Sequence, residues 1–317
     1  YDGNWKYGQR SGKGIEYYSN GKIKYDGLFD NDKYHGSGKL YLNNYDKVNS
    51  NLYYLYYDGN WKYGQRSGKG IEYYPNGDKK YVGLFDNDKY HGNGTLFFHN
   101  NKGNLENINY IGEWKYGLKC GRGKEYLPNG KLVYEGLFDN NKYNDEEGKL
   151  YFRNGYYYIG KLVNGQMHGK GILSFNDNYH LDKTIEVMSN LIANPGEILD
   201  DIELFTNNAL KGDFSRMEKY EGYFVNNNKE GFGICYYKNG SYYSGYWKNN
   251  EYNGKGKFYK KNGKYIEGEW KNGKKNGHMI LYDRSGKILD EGDFIEDKLI
   301  NDSSVSSISK KISFSLL

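Results

Sequence analysis

The sequence predicts an all-β fold, an elongated single-sheet-like solenoid of stacked β-hairpins. A Tyr-x-Gly-x-Trp/Phe signature, with isoleucine in the tyrosine slot of the tenth copy, begins at Tyr1, Tyr25, Tyr57, Tyr81, Tyr110, Tyr134, Tyr158, Tyr220, Tyr243 and Ile266. Most neighbouring copies lie 23 or 24 residues apart, and a fixed period of this size indicates a repeat architecture. The chain is also 18% aromatic with 38 tyrosines, whose rings can be buried while their hydroxyls reach polar partners.

Each repeat is predicted to contain two short antiparallel strands. In the first strand, Tyr1 and Trp5 share one face because side chains alternate along a strand. Gly8, and Gly64 in the third repeat, follow that strand where a tight turn needs a positive φ. The pattern Asn20-Gly21 after the second strand predicts a type I′ turn into the next repeat.

Two sets of side chains are predicted to pack the repeats together. Glycines inside strands predict the close approach of an aromatic ring from the adjacent repeat; they include Gly3, Gly12, Gly14, Gly59, Gly68, Gly70, Gly112, Gly121 and Gly123. The predicted aromatic stripe comprises Tyr1, Trp5, Tyr25, Phe29, Tyr57, Trp61, Tyr81, Phe85, Tyr110, Trp114, Tyr134, Phe138, Tyr220, Phe224, Tyr243, Trp247 and Trp270. Internal stacking is the favoured interpretation, and an exposed groove that receives a partner helix or strand is the alternative.

Repeats alternate in character, and the repeating unit is a pair. Residues 1–18 are identical to residues 57–74. The first, third and fifth repeats carry Trp-Lys-Tyr-Gly, and the second, fourth and sixth carry Gly-Leu-Phe-Asp-Asn. Basic residues such as Arg10 are followed one repeat later by acidic residues such as Asp32. Because successive repeats lie about 10 Å apart, we expect each basic cluster to have acidic neighbours.

The spacing divides the chain into four segments. Residues 1–175 hold repeats one to seven, residues 176–219 an acidic insertion, residues 220–295 repeats eight to ten with a partial repeat, and residues 296–317 a serine-rich tail. Apolar residues at helical spacing predict an α-helical hairpin in the insertion, with Leu181, Ile185, Met188, Ile198, Ile202 and Phe205 on its apolar stripes. The insertion is interpreted as a lid over the solenoid or, alternatively, as a partner-docking element.

Composition and motifs argue against catalysis, metal binding and nucleic-acid binding. The net charge of +5 is weak, and Cys120 and Cys235 form no Cys-x-x-Cys pair. Gly12-Lys13-Gly14 lacks the rest of a phosphate loop. No recognisable triad or zinc-binding motif occurs, so we expect no catalytic residues, no metal and no cofactor. The chain begins at Tyr1 in mid-repeat register, which we interpret as a fragment.

The string Tyr-x-Gly-x-Trp-x-x-Gly-x-x-x-Gly-x-Gly, intact in residues 1–14, 57–70 and 110–123, resembles the MORN (membrane occupation and recognition nexus) repeat. Departures occur at residues 144–148 in the sixth repeat, at Leu162 in the seventh and at Met279 in the tenth. The resemblance implies an elongated β solenoid that serves as a scaffold or targeting module. It also implies self-association.

The resulting functional prediction is a non-catalytic scaffold that binds protein partners and itself, as a dimer, in a cytoskeletal, axonemal or membrane-apposed assembly. The alternatives are an adaptor for phosphoinositides or other acidic lipids, and the targeting part of a larger enzyme such as a phosphatidylinositol phosphate kinase. Lipid would meet a basic cluster of Lys115, Lys119, Arg122 and Lys124. We expect a cytoplasmic location, at the cytoskeleton, at the axoneme or peripheral to a membrane. A composition rich in Asn, Lys, Tyr and Ile hints at a protist source.

Overall fold

The computed structural model describes residues 1–46, 50–99, 107–152, 154–175 and 216–300, and every regular element within these ranges is a β-strand. The chain divides into two compact units, Tyr1–Lys142 and Tyr143–Leu317. Unit 1 contains β1 (Asp2–Lys6), β2 (Gln9–Tyr17), β3 (Ile23–Asp30), β4 (Lys33–Asp46), β5 (Ser50–Lys62), β6 (Gln65–Tyr73), β7 (Lys79–Asp86), β8 (Lys89–Phe97), β9 (Ile108–Lys115), β10 (Leu118–Tyr126) and β11 (Leu132–Asp139). The short β12 (Lys142–Tyr143) crosses the boundary.

Unit 2 is built in the same way from the remaining strands. They are β13 (Asp145–Tyr151), β14 (Tyr156–Val163), β15 (Gln166–Phe175), β16 (Met217–Val225), β17 (Asn228–Tyr237), β18 (Tyr242–Lys248), β19 (Glu251–Tyr259), β20 (Tyr265–Lys271), β21 (Lys274–Tyr282), β22 (Ile288–Ile295) and β23 (Lys298–Leu299). None of the described residues forms a helix long and apolar enough to span a membrane.

Within each unit, every strand pairs antiparallel with the next strand along the chain, so each unit is a meander of hairpins. In unit 1 the pairing runs without interruption from β1–β2 to β10–β11. In unit 2 it runs from β13–β14 to β22–β23. The predicted all-β architecture of stacked hairpins is therefore confirmed.

The two-residue turn inside each repeat has both central residues at positive φ, which is the type I′ geometry that suits the strand twist. Tyr7 and Gly8 have φ values of 51° and 79°, and Asn31 and Asp32 have values of 49° and 65°. The predicted type I′ turn at Asn20-Gly21 is wrong. Gly21 has a φ of 82°, but Asn20 is not in the left-handed region. Its side chain instead accepts a hydrogen bond from the Lys22 amide at 3.1 Å, which stabilises a wider loop.

Neighbouring repeats are also tied together at these turns. The amide of Asp32 donates a hydrogen bond to the Arg10 carbonyl at 3.1 Å, and the amide of Gly64 donates to the Tyr34 carbonyl at 2.8 Å. The same bond recurs at Asp88, Gly117 and Asn141. Because each bond joins one repeat to the previous one, the turns themselves form a ladder along the edge of unit 1.

The predicted helical hairpin cannot be compared with the structure, because its six apolar positions lie outside the described residues. Strand β16 begins at Met217, so the last three residues of the predicted insertion, 217–219, lie in this strand. The residues after Ile300 also lie outside the described ranges, so the predicted serine-rich tail stays a prediction.

Candidate functional site

The aromatic stripe forms the core of each unit and lies on one face of the sheet. Tyr25 is fully buried, and its ring meets Phe29 of its own strand at 5.1 Å and Trp61 of the next repeat at 5.7 Å, both edge to face. The same packing recurs around Tyr57, Tyr81, Tyr110, Tyr220 and Tyr243. Edge-to-face contacts are a favourable geometry for aromatic pairs. The stripe therefore holds consecutive repeats together; only its first members, Tyr1 and Trp5, are not buried.

Each stripe tyrosine is anchored by its hydroxyl to the strand on which it lies. Tyr25 Oη donates a hydrogen bond to the Leu28 carbonyl at 3.1 Å. Equivalent bonds three residues along the chain are made by Tyr1, Tyr57, Tyr81, Tyr110, Tyr134, Tyr158, Tyr220 and Tyr243. Burial raises the pKa of Tyr25 well above its usual value. The ring is thus held as a neutral hydrogen-bond donor.

The paired glycines make room for this ring, although the ring is not the one that the sequence predicts. Gly3 pairs with Gly14 and Gly14 with Gly27, and this pairing continues strand by strand to Gly136 in unit 1. A Cβ at Gly27 would lie 2.6 Å from Tyr25 Oη. Because Tyr25 belongs to the same repeat, the prediction of a ring from the adjacent repeat is wrong. In repeats one to five and seven to nine, the space at the second glycine is likewise filled by the tyrosine of the same repeat.

Gly12, Gly68 and Gly121 have a different role from the paired glycines. Each has a positive φ, of 78°, 83° and 56° respectively. Gly12 lies where the pairing of β1 with β2 shifts register between Gly3 and Trp5. Glycine is favoured in such a bulge because it lacks the Cβ that makes positive φ costly.

The tenth repeat replaces a tyrosine and a glycine together. Ile266 occupies the tyrosine position and is 1% exposed, and Met279 occupies the second glycine position and is fully buried. Met279 pairs with Gly268, and a Cβ at Gly268 would overlap the Met279 sulfur. The methionine side chain therefore fills the space that the tyrosine ring takes in other repeats. In the seventh repeat, Leu162 is buried opposite Met167.

A charged network crosses from the first repeat to the second and from the third repeat to the fourth. Arg10 binds Glu16 at 3.2 Å and Asp32 at 3.2 Å, and Lys24 binds Glu16 at 3.0 Å. The Tyr34 hydroxyl donates to Glu16 at 2.8 Å. The corresponding residues of the third and fourth repeats, Arg66, Glu72, Lys80, Asp88 and Tyr90, form the same network. The predicted pairing of basic clusters with acidic neighbours is confirmed at these positions.

Burial and charge act in opposite directions on the carboxylates of this network. Burial raises the pKa of Glu16, but hydrogen bonds from Lys24 and Tyr34 and the charges of Lys24 and Arg10 lower it, and the net pKa lies below its usual value. The Arg10 amide donates to Asp32 at 2.9 Å and lowers the pKa of that carboxyl group. Both groups are thus stabilised as anions within the fold.

The predicted lipid-facing basic cluster is not a free cationic patch. Lys119 is largely buried and binds Glu125, and its ammonium group lies 5.1 Å from the Tyr110 ring. Lys124 binds Glu135 at 3.2 Å. Lys115 lies at the turn over the Tyr116 ring, at 5.9 Å, and the Arg122 amide donates to Glu113 at 2.9 Å. Two of the four cations, Lys119 and Lys124, thus form ion pairs with carboxylates.

Among the aromatic residues of unit 1 whose exposure the structure describes, three tyrosines at the turns of odd repeats are the most exposed outside the terminal strand. Tyr7, Tyr63 and Tyr116 have φ values of 51°, 52° and 53° and exposed fractions of 94%, 61% and 60%. A positive φ is costly for a bulky residue. The corresponding turn positions of even repeats carry asparagine, at Asn31, Asn87 and Asn140. The Trp-Lys-Tyr-Gly motif marks these tyrosines in the sequence, but the motif alone did not predict that their side chains are exposed.

The cysteines and histidines are the remaining residue types that could serve as nucleophiles or metal ligands. Cys120 and Cys235 are both free thiols, and burial raises the pKa of the fully buried Cys235. Within the described ranges, no group of three or more His, Cys, Asp or Glu residues is placed to hold a metal ion. The rings of His35 and His91 each contact a turn tyrosine, at 5.7 and 5.9 Å.

These features define a class of protein, an array of repeated β-hairpins. Aromatic rings pack consecutive repeats together, and the groups available for binding lie on the exposed surfaces. The MORN repeat model matches residues 1–23, 25–47, 57–79, 81–102, 110–131, 158–178, 220–242, 243–265 and 267–278. The chain therefore belongs to the MORN repeat family. The sixth repeat is not among the matched segments, yet Tyr134 is fully buried and makes the usual hydrogen bond to the Leu137 carbonyl.

Part of the chain is similar in sequence to alsin from several mammals. The chain is 34% identical over 120 residues to alsin from Homo sapiens, Pan troglodytes and Mus musculus. The match covers 37% of this chain and 7% of each alsin sequence. The similarity thus concerns a small part of a much longer protein.

Proposed function

We propose that this protein is a non-catalytic scaffold that binds protein partners and associates with itself. The observation that carries the proposal is the row of exposed tyrosines at the turns of unit 1. Residues held in costly backbone conformations concentrate at functional sites, and tyrosine is enriched at protein interfaces. The chain places asparagine at other turns of the same geometry, so the fold itself does not require tyrosine at these positions.

The surroundings of these tyrosines suit a protein partner. Lys6, Lys62 and Lys115 lie over the neighbouring turn tyrosines at 5.4, 5.7 and 5.9 Å. The intervening even-repeat turns carry Asp32 and Asp88, which are half exposed and are paired with Arg10 and Arg66. Because cationic, aromatic and acidic groups alternate, the edge offers several kinds of contact at regular intervals. Such an edge favours a specific protein surface over a uniformly anionic one.

The assembly in question would be cytoskeletal, axonemal or apposed to a membrane, and the location cytoplasmic. The predicted helical insertion at 176–219 would add a partner-docking element. Phosphoinositide binding, and a role as the targeting part of a larger enzyme such as a phosphatidylinositol phosphate kinase, are the competing functions. The ion pairs of Lys119 and Lys124 count against strong lipid binding, since a paired cation contributes less to attraction by an anionic surface.

The test compares the wild-type chain with a triple variant, Tyr7→Asn, Tyr63→Asn and Tyr116→Asn. Affinity capture from the organism's own extract, with cross-linking and mass spectrometry, should recover stoichiometric protein partners with the wild type and lose them with the variant. Asparagine tolerates positive φ better than tyrosine, so the variant should be more stable, by about 0.5 kcal/mol per site in urea denaturation. A structural role for the tyrosines predicts the opposite change in stability.

Self-association and lipid binding are measured separately. Sedimentation velocity of the purified chain should show a dimer at micromolar concentration. A strictly monomeric chain that also captures no stoichiometric partner would overturn the scaffold proposal. Salt-sensitive co-sedimentation with phosphoinositide vesicles, but not with neutral vesicles, would favour the lipid adaptor instead.

A further inference from the structure

The sheet face of unit 1 opposite its core carries a largely apolar row that the packing of the repeats does not use. Ile71 on β6, Val82 on β7, Thr95 on β8 and Ile111 on β9 are successive register partners. Each alternates along its strand with core-facing residues, which places all four side chains on the outer face. Ile111 is 40% exposed, and the other three are partly exposed. The row is therefore a contiguous surface that crosses four strands.

Comparison with the second repeat shows that the fold does not require an apolar row. The stretch that contains the tight turn of the second repeat, residues 27–36, recurs unchanged in the fourth repeat. Where the fourth repeat pairs Val82 with Thr95, however, the second repeat pairs Asp26 with Lys39. A charged pair is thus compatible with the same hairpin. Contiguous exposed apolar surface marks interaction sites in soluble proteins.

Oppositely charged residues flank the row in the same register at both ends. Beyond β6 lie Asp58 on β5 and then Lys39 on β4, which form an ion pair at 3.5 Å. Beyond β9 lie Lys124 on β10 and then Glu135 on β11, which form an ion pair at 3.2 Å. From β4 to β11 the order is thus cation, anion, four uncharged side chains, cation, anion.

A row with this order of charges is complementary to its own reverse. A second copy can face the first after a rotation by 180° about an axis between the two faces, parallel to the strands and level with the gap between β7 and β8. The rotation reverses the order of the strands and keeps each position along them. Asp58 then faces Lys124 of the second copy, Lys39 faces Glu135 of the second copy, and the four uncharged residues face one another. A two-fold dimer is built in this way from one self-complementary surface.

The neighbouring row on the same face obeys the same symmetry. Lys69 lies two residues before Ile71, and Glu113 lies two residues after Ile111, so each shares the outer face of its strand. The rotation places Lys69 on β6 against Glu113 on β9 of the second copy. Within one chain β7 and β8 separate these two strands, so about 14 Å divides them. The contact is therefore available only between copies.

Among the described side chains, the remaining charges on the outer face of β4 to β11 bring no like charges together. Near the tight turns, Asp86 faces Lys89 of the second copy, and Lys33 faces Asp139 of the second copy. The other cations face uncharged residues of the second copy: Lys62 faces Leu118, Lys79 faces Phe97, Lys115 faces Gln65 and Arg122 faces Asn60.

Other positions of the axis lose this match. An axis level with β7 sets Lys39 against Lys124 of the second copy, and an axis level with β8 sets Asp58 against Glu135 of the second copy. An axis between β3 and β4 sets Ile15 against Asp58 of the second copy and leaves no apolar pair in the row. An axis across the strands sets each charge against its own counterpart. Like charges that face each other suppress association, so the order of charges favours the axis between β7 and β8.

The face is large enough for a stable dimer. Eight strands spaced by about 4.8 Å span about 38 Å, and four outward positions along each strand cover about 20 Å. A face of about 800 Å² per copy is thus available, which is the share that each partner contributes to an interface of standard size. Two sheets that pack face to face keep their strands within about 30° of each other, and an axis parallel to the strands gives that alignment.

We propose that two copies of this chain associate as a two-fold dimer through the outer face of β4 to β11, centred on Ile71, Val82, Thr95 and Ile111. The proposal rests on the self-association named in the proposed function and gives it a surface and a symmetry. It concerns unit 1 alone. Capture of other proteins by the turn tyrosines does not depend on it, so the two proposals can fail separately.

Zero-length cross-linking tests the geometry. A carbodiimide joins a lysine directly to a carboxylate. Purified wild-type chain should therefore give a dimer band whose peptides include Lys69 joined to Glu113 and Lys124 joined to Asp58. Within one chain these pairs lie three and five strands apart, too far for a direct bond.

Exchanging one charge pair tests which surfaces meet. Lys69→Glu and Glu113→Lys each bring like charges together twice in the dimer, so each should weaken dimerisation about tenfold in sedimentation velocity. An equimolar mixture of the two variants should recover the wild-type affinity, because both contacts of the mixed dimer again join opposite charges. Lysine is compatible with the Glu113 position, since Lys161 occupies it in the seventh repeat.

The duplicated sequence supplies matched controls. Residues 1–18 are identical to residues 57–74, so Lys13→Glu and Ile15→Lys make the same changes on β2, outside the proposed face. Ile71→Lys should weaken dimerisation at least tenfold, whereas the two β2 variants should leave it unchanged. Lysine is compatible with the Ile71 position, since it occupies that position in the second and fifth repeats. Far-UV circular dichroism and thermal unfolding check the fold of each variant.

Three results would overturn the proposal. They are a wild-type chain that stays monomeric at micromolar concentration, a dimer that is unchanged by folded Ile71→Lys and Lys69→Glu variants, and a mixture of the two charge variants that associates no better than either alone. The second result would show self-association through another surface, which keeps the scaffold function and removes this dimer. After the first result, the scaffold function would depend on the capture of other proteins alone.

Discussion

At the residue scale, the tyrosine of each repeat and the two paired glycines of its hairpin form one packing unit. The ring lies across both glycine positions, and its hydroxyl satisfies a carbonyl in its own strand. A thin sheet has room for little else in its core, so large rings and glycines are needed together. Neither component is replaceable alone, because a Cβ at the second glycine would overlap the ring.

The tenth repeat allows this dependence to be measured. Ile266→Tyr alone should destabilise the protein by about 2 kcal/mol, because Met279 already occupies the space of the ring. Met279→Gly alone should cost about 3 kcal/mol by leaving a cavity beside Ile266. The double variant restores the tyrosine-glycine pairing and should be destabilised by less than the sum of the two single variants, with a favourable coupling of about 2 kcal/mol. Urea denaturation of all four proteins gives the cycle, and additive effects would contradict the explanation.

At the element scale, the hairpins of unit 1 are joined in pairs by charges as well as by rings. Arg10 lies on β2, contacts Glu16 on the same strand and reaches Asp32 in the turn before β4. Its guanidinium carbon also lies 4.9 Å from the Phe29 ring. One side chain thus connects the first repeat with the second, and Arg66 connects the third repeat with the fourth in the same way.

The network predicts a loss of stability in acid. The folded-state pKa values of Glu16 and Asp32 lie below their ordinary values of 4.5 and 3.8. Their contribution is therefore fully present above about pH 5 and is lost as the pH falls through the folded-state values. Urea denaturation at pH 7, 4 and 3 should show a shallower acid decline for Glu16→Gln than for the wild type.

Arg10→Met provides a second variant for the acid measurement, since Met167 occupies the equivalent position in the seventh repeat. It removes the cation that holds both carboxylates and should also flatten the acid decline. Acid profiles of both variants parallel to that of the wild type would show that the network does not contribute.

At the scale of the whole molecule, each described strand pairs with its neighbours along the chain, so stability is expected to be local. Gly70→Ala should speed amide hydrogen exchange most strongly in β5, β6 and β7, because its Cβ would overlap the Tyr57 ring between them. Exchange in residues 220–295 should be unchanged. Hydrogen-exchange mass spectrometry of the variant and the wild type makes the comparison, and a uniform acceleration along the chain would indicate global cooperativity instead.

A regular period made much of the fold predictable. The signature at Tyr1 and its copies located the first strand of each repeat, and the aromatic alternation indicated which face is buried. Turn chemistry was less predictable, because Asn20-Gly21 lies within a five-residue connection between the paired residues Tyr17 and Ile23, whereas a type I′ turn closes a two-residue connection. At Asn20-Gly21 the chain closes a wider loop, whereas the tight turn predicted at Gly8 has the type I′ geometry.

The sequence by itself determined the repeat, the hairpin and the family, since these follow from spacing and residue type along the chain. The tertiary structure alone decided which ring fills each glycine position, which cations are neutralised and which aromatics remain exposed. These properties depend on register between strands distant in sequence, and a shift of one residue would move every side chain to the other face. Ile71, Val82, Thr95 and Ile111 form one surface only because β6, β7, β8 and β9 pair in the register observed.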